Sequence, residues 1–313
     1  MLGPLWNDLV RDRTKIELSV KRVVLFLGFC IAVDWAVWSL LTKGLEHYFG
    51  LDIGADILFV GHSHTVLAVD KVELEELTGL SIAKYARRGA NLADRIAMTR
   101  QYIDRHPDRV RLVVFGVESH IFTKAGLSRN SHKLFLPFLD EPVVRQHLTA
   151  HGVGFDELLV RQILRSSRFD ETTLALSLRG LTSNWRSYKR GRVHIDRLKA
   201  VISKGDFRRI AFDEAELERF SQFLLFLKDR EIRVALALYP TIDTLNDAEP
   251  RKFSRAVQLF KGLAEPRAGV WLLDYNSDLT SRHELFFDPV HVNREGQVEV
   301  TKRLAQDLVK LMK

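Results

Sequence analysis

Five runs rich in apolar residues, at 56–60, 81–85, 110–117, 232–238 and 270–274, punctuate this 313-residue chain, and stretches of helical period fall between them. Continuous apolar runs of this length read as strands buried on both faces, because a strand with one wet face would alternate. Helical stretches are expected at 67–77, 92–104, 212–229, 250–264 and 294–311. The second carries Leu92, Ile96, Met98 and Ile103, and Asp213 is placed to cap the third. Strands that alternate with helices predict βαβ units, right-handed crossovers and a parallel sheet, with any active site at the carboxyl ends of the strands. The expected class is α/β.

The N-terminal pattern is different. Residues 23–42 read VVLFLGFCIAVDWAVWSLLT, with Asp34 as the single charge. As a helix, about 20 such residues span roughly 30 Å, the thickness of a bilayer core. Its length, the tryptophans Trp35 and Trp38 and the lack of a small-residue cleavage site favour a retained signal anchor. Arg11, Arg13, Lys15, Lys21 and Arg22 precede the segment, whereas only Lys43 is basic in the twenty residues after it. The positive-inside rule then leaves residues 1–22 as a cytoplasmic tail, 23–42 as a single inner-membrane span and 43–313 as an extracytoplasmic, periplasmic domain. Asp34, near the middle of the span, is expensive there and is expected to meet a partner, such as another membrane protein.

Composition changes the picture little. About 270 residues beyond the span suffice for one sizeable core. The single cysteine, Cys30, excludes an intramolecular disulfide. The net charge of +7 suits acidic glycans or anionic lipid, yet at this size it is chiefly a solubility property.

The chemistry is carried by Gly61-His62-Ser63 directly after the first apolar run, and by Asp288-Pro289-Val290-His291 far downstream. A strand that ends in a tight turn exposes its last side chain at the sheet edge. A hydroxyl there becomes a competent nucleophile when an imidazole takes its proton and a carboxylate orients that imidazole. Ser63, His291 and Asp288 are the candidate triad. Asp288 and His291 could alternatively cap the last helix. The His62-x-His64 spacing could, with Asp288, His291 or Glu118, build a zinc-type centre; the preferred reading needs neither metal nor cofactor.

The order Gly61-His62-Ser63, Gly89-Ala90-Asn91, Gly116-Val117-Glu118 and Asp288-Pro289-Val290-His291 resembles the four blocks of the SGNH (GDSL-type) hydrolase superfamily, in particular membrane-anchored envelope proteins of the DltD type and proteins that acetylate secreted polysaccharides. The resemblance implies a three-layer α/β/α domain and an oxyanion hole built from the backbone N–H groups of Ser63 and Gly89. The third block departs from the pattern. It usually ends in an asparagine that donates to the oxyanion, and Glu118 stands there instead; Asn91 is the preferred substitute, the alternatives being a Glu118 that is protonated or binds a cationic group, or a poor hydrolase. The resemblance leaves residues 120–210 as an insertion. There the run Asn184-Trp185-Arg186-Ser187-Tyr188-Lys189-Arg190-Gly191-Arg192 interleaves charge and aromatics. Outside the membrane such a run suits a polyanionic glycan, the lipid surface or a protein partner better than nucleic acid. His62, His64, Glu118, Trp185 and Arg186 are therefore candidate substrate-binding residues.

Two functions follow. One is a serine acyltransferase or acylesterase acting on O-acyl groups of an envelope or secreted polysaccharide, beside a membrane-bound acyltransferase reached through Asp34. The other is a non-catalytic scaffold of the same fold that binds glycan or that membrane partner.

Overall fold

The computed structural model describes residues 3–123 and 131–313, with side chains from residue 19 onward. Arg11, Arg13 and Lys15 of the basic flank lie outside the described side chains. Helix α1 (Gly3–Phe49) leads into β1 (Ile57–Gly61), α2 (Ser63–Ala68), α3 (Lys71–Thr78), β2 (Ile82–Ala86), α4 (Leu92–Arg105) and β3 (Leu112–Val117). The insertion contributes α5 (Pro142–Ala150), α6 (Phe155–Ile163), α7 (Glu171–Leu181) and α8 (Ile195–Ser203), with 3₁₀ turns at Ser131–Phe138 and Arg165–Arg168. The alternation then resumes through α9 (Glu214–Lys228), β4 (Arg233–Leu238), α10 (Asp243–Asn246), α11 (Pro250–Leu263), β5 (Val270–Asp274) and α12 (Asn276–Leu279). The short ribbon β6 (Phe286–Asp288) and β7 (His291–Val292) precedes the last helix, α13 (Arg294–Met312).

All five principal strands are parallel, in the order β2-β1-β3-β4-β5. Their period-two alternation divides one apolar run between two cores. Leu58, Val60, Val113, Phe115, Leu236 and Leu238 face one layer, where the end of α1, α4, α9 and α11 pack. Ile57, Phe59, Leu112, Val114, Ala235 and Ala237 face the other, with α3, α8 and α13. Both faces are covered, so the runs are apolar at nearly every position. The α/β class and its three layers stand as expected.

One boundary moved for a local reason. The stretch expected as one helix at 67–77 is two, because Asp70 accepts from Glu73 N and starts α3 afresh. Asp213 does cap α9, accepting from Ala215 and Glu216 N. Residues 23–42 fall inside the continuous α1, of which Ser19–Phe49 is long and apolar enough to cross a membrane.

Candidate active site

The strand order reverses direction between β1 and β3, and a crevice opens at the carboxyl ends of parallel strands at such a point. Ser63 follows β1 and Glu118 follows β3, so the two flank it. The turn out of β1 is tight: a Cβ on Gly61 would lie 1.8 Å from Thr65 Oγ1, and one on Gly116 would lie 2.5 Å from the same atom. Small residues at both strand ends let α2 start at once, with Ser63 as its first residue.

Ser63 Oγ lies 2.8 Å from His291 Nε2, and His291 Nδ1 lies 2.7 Å from Asp288 Oδ2. These distances suit a hydroxyl donating to Nε2 and an Nδ1–H donating to the carboxylate. The second oxygen, Asp288 Oδ1, accepts from the backbone N–H of Val290 and His291 at 3.0 and 2.9 Å. Burial pushes the Asp288 carboxyl up, but the hydrogen bond and charge of His291, with those two N–H groups, hold it below its ordinary value. Capping of the last helix falls to Asn293, whose side chain accepts from Gly296 N. Asp288 and His291 are thereby left to face the serine.

The cavity beside Ser63 has a volume of about 580 Å³. His62, His64, Gly89, Glu118, Asp288 and Val290 line the triad end. Leu198, Val201, Phe207, Ile210 and Leu245 form an apolar wall, and Arg208 joins it near Glu118. Gly89 sits at φ +81°, a left-handed conformation that a side chain would strain.

Glu118 is almost fully buried, and both its oxygens accept from the buried Arg95, at 2.8 and 2.6 Å. Arg95 also donates to Ala90 O and Gly116 O. The third-block carboxylate is therefore a fixed member of the sheet edge and presents no donor to the cavity. His62 completes the network. Its Nδ1 accepts from His64 N at 3.1 Å, which leaves the proton on Nε2, 3.4 Å from Glu118 Oε1. Burial, then the neighbouring cations, push His62 well below its ordinary pKa; burial with the His62 and His291 rings does the same to His64.

Three expected site residues lie elsewhere. Asn91 caps α4 through a reciprocal pair with Asp94, its Oδ1 accepting from Asp94 N at 2.9 Å. A side chain committed to that box lines a different cleft and does not replace the missing donor. Trp185 packs over the Lys71 ammonium, 4.7 Å from the ring centroid, and its Nε1 points to His47 O. Arg186 lines a separate basic cleft with Arg88, Arg179 and Tyr188. Their segment still serves the site, since Gln297 Nε2 donates to Ser187 O and Asn293 Nδ2 to Gly191 O, tying residues 187–191 to the base of α13.

The cavity wall from α8 to Ile210 was not legible in the sequence. Arg208 reads there as one of two adjacent arginines before an ordinary helix, with no periodicity or spacing to single it out. Among the described residues, Asp94, His147 and His151 have metal-ligating spacing. The α4 capping box and the 2.9 Å contact from His147 Nε2 to Asp94 Oδ1 already account for Asp94.

No family model and no curated protein matches the chain. Solved structures that resemble it include a Bacteroides fragilis protein described as a putative acylhydrolase, at 13% identity and a TM-score of 0.41, over 81% of this chain and 86% of that one. Another, described as a putative platelet activating factor from Streptococcus pneumonia, matches at 13% identity and a TM-score of 0.42, over 92% and 99% of the respective chains.

Proposed function

We propose that this chain is a membrane-anchored serine acyltransferase or acylesterase acting on O-acyl groups of a cell-envelope or secreted polysaccharide. The observation that carries the reading is the unbroken line from Ser63 Oγ through His291 to Asp288 at the mouth of a partly apolar cavity. In such a line the imidazole takes the hydroxyl proton as oxygen attacks the acyl carbonyl, then returns it to the leaving group. Asp288 fixes the imidazole with its proton on Nδ1. The backbone N–H groups of Ser63 and Gly89 are the oxyanion donors that the SGNH resemblance implies. The apolar wall fits the acyl group, and the open mouth fits a saccharide.

With Glu118 held by Arg95, the hole lacks the side-chain donor of a generic SGNH esterase. One such donor is worth about 2.7–4 kcal/mol to the oxyanion whether water or a sugar hydroxyl is the acceptor, so its absence predicts slow turnover in either direction. A fluorophosphonate probe tests the proposal: labelling of the intact chain is expected and should vanish in Ser63→Ala. The same missing donor favours a second reading, the non-catalytic scaffold. An unlabelled but folded protein that still binds an O-acylated glycan would establish that alternative instead.

A further inference from the structure

The side chains of α1 are exposed from Ser19 to Val33, among them Leu25 and Phe29 at 72% and 66%. Contact with the folded body begins at Asp34. Its carboxylate accepts from the backbone N–H groups of Arg165 and Ser166, at 2.7 and 3.1 Å, and from Ser166 Oγ at 2.5 Å. The Arg165 guanidinium lies 4.4 Å from the ring centroids of both Trp35 and Trp38. Buried Arg168 pairs through both terminal nitrogens with Asp140, and Arg165 approaches the same carboxylate.

A bilayer centred on Asp34, as the span 23–42 requires, would immerse this whole cluster of arginines and carboxylates in hydrocarbon, at a cost no isolated anchor carries. Moving the outer boundary to the level of Asp34 and Trp35 takes this cluster out of the hydrocarbon and puts the tryptophans where aromatic belts lie. About 20 residues back from there the span begins near Lys15 and takes in Glu17, Lys21 and Arg22, so its charge cost moves to the inner end, where lysine and arginine extend towards the headgroups.

The helix α6 ends at Ile163, two residues before the Arg165 that Asp34 holds, and has no buried residue. Phe155 is 81% exposed, and Leu159, Val160, Ile163 and Leu164 are each exposed by 45–57%. Phe155, Leu159 and Ile163 recur every four residues, on one face, while Glu157 and Arg161 pair with each other on the flank. The face is continuous with the exposed span, because the turn that follows α6 is the one hydrogen-bonded to Asp34.

We infer that α6 is an interfacial helix that buries Phe155, Leu159 and Ile163 in the outer leaflet of the phospholipid bilayer beside the exit of α1. This rests on α1 spanning the membrane. The Asp34 cluster then joins two membrane contacts into one rigid unit, and the domain meets the bilayer at a fixed attitude instead of swinging on a tether.

The test uses the full chain with Cys30→Ser, reconstituted in vesicles of phosphatidylcholine with a minor share of phosphatidylglycerol. Single cysteines replace Phe155, Ile163, Phe26 or Glu265 and carry an environment-sensitive fluorophore. Phe26 reports on α1. Exposed Glu265 precedes β5, at the sheet edge opposite β2, against whose Tyr85 the end of α1 packs. Labels at 155 and 163 should be quenched several-fold more by brominated lipid than the label at 265, and protected from aqueous iodide. If they behave like 265 while the label at 26 is quenched by lipid, the interfacial helix is wrong and the anchor stands. If the label at 26 also behaves like 265, both fall.

Discussion

Asp288 serves two masters: one oxygen holds the His291 ring and the other accepts two backbone N–H groups that shape the turn. Asp288→Asn can keep the second set through its carbonyl while giving His291 the wrong tautomer. It should therefore leave the thermal midpoint nearly unchanged and lower kcat by about 10⁴, as loss of the orienting carboxylate does in serine triads. Glu118 makes the opposite case. Glu118→Gln removes the charge facing Arg95 in a dry site, so the expected loss is about 3–5 kcal/mol of stability, read by urea denaturation. Burial of neutral His62 and His64 sets the acid limb. Both are depressed in the fold, so the unfolded chain binds more protons as pH falls below about 6.5. Below that value stability should fall, by about 1.4 kcal/mol per pH unit for each histidine, until the folded pKa is reached. A denaturation series across pH 4.5–7.5 with His64→Asn as comparison would show a shallower acid slope in the variant.

At the scale of elements, α7 holds the carboxyl end of α1 by backbone approach. A Cβ on Gly180 would lie 1.7 Å from Gly44 O, and one on Gly44 would lie 2.3 Å from Ser177 O. Gly180→Ala must push the helices apart, at a cost of about 1–3 kcal/mol or more, and should raise proteolysis within the insertion. The strands were legible because a sheet covered on both faces leaves a one-dimensional trace, a mostly apolar run with at most an isolated charge such as Lys84 or Arg233. Asp213 was legible as a cap because its role is local. The parting of α2 from α3 turned on whether Asp70 ended one helix or began another, which spacing alone does not decide. The insertion packs through long-range contacts such as Asp34 with Ser166, 132 residues apart, and these leave no periodic mark.

At the scale of the whole molecule, the site is assembled from the ends of β1 and β3, the ribbon before α13 and the wall from α8 onward. The triad was legible because each member sits in a turn with a distinctive neighbour: Gly61 before Ser63, and Pro289 between Asp288 and His291. The oxyanion side was not, since Asn91 looks alike in sequence whether it caps a helix or faces a substrate; the capping box with Asp94 exists only once the chain turns there. A working triad requires that Ser63 become acylated. Intact-mass and peptide mapping of the full chain, quenched within the first turnover of a p-nitrophenyl ester, tests it most directly. One acyl group on Ser63, matched by a stoichiometric burst and absent in Ser63→Ala, is the predicted result; turnover that survives Ser63→Ala, or no adduct at that residue, would contradict it.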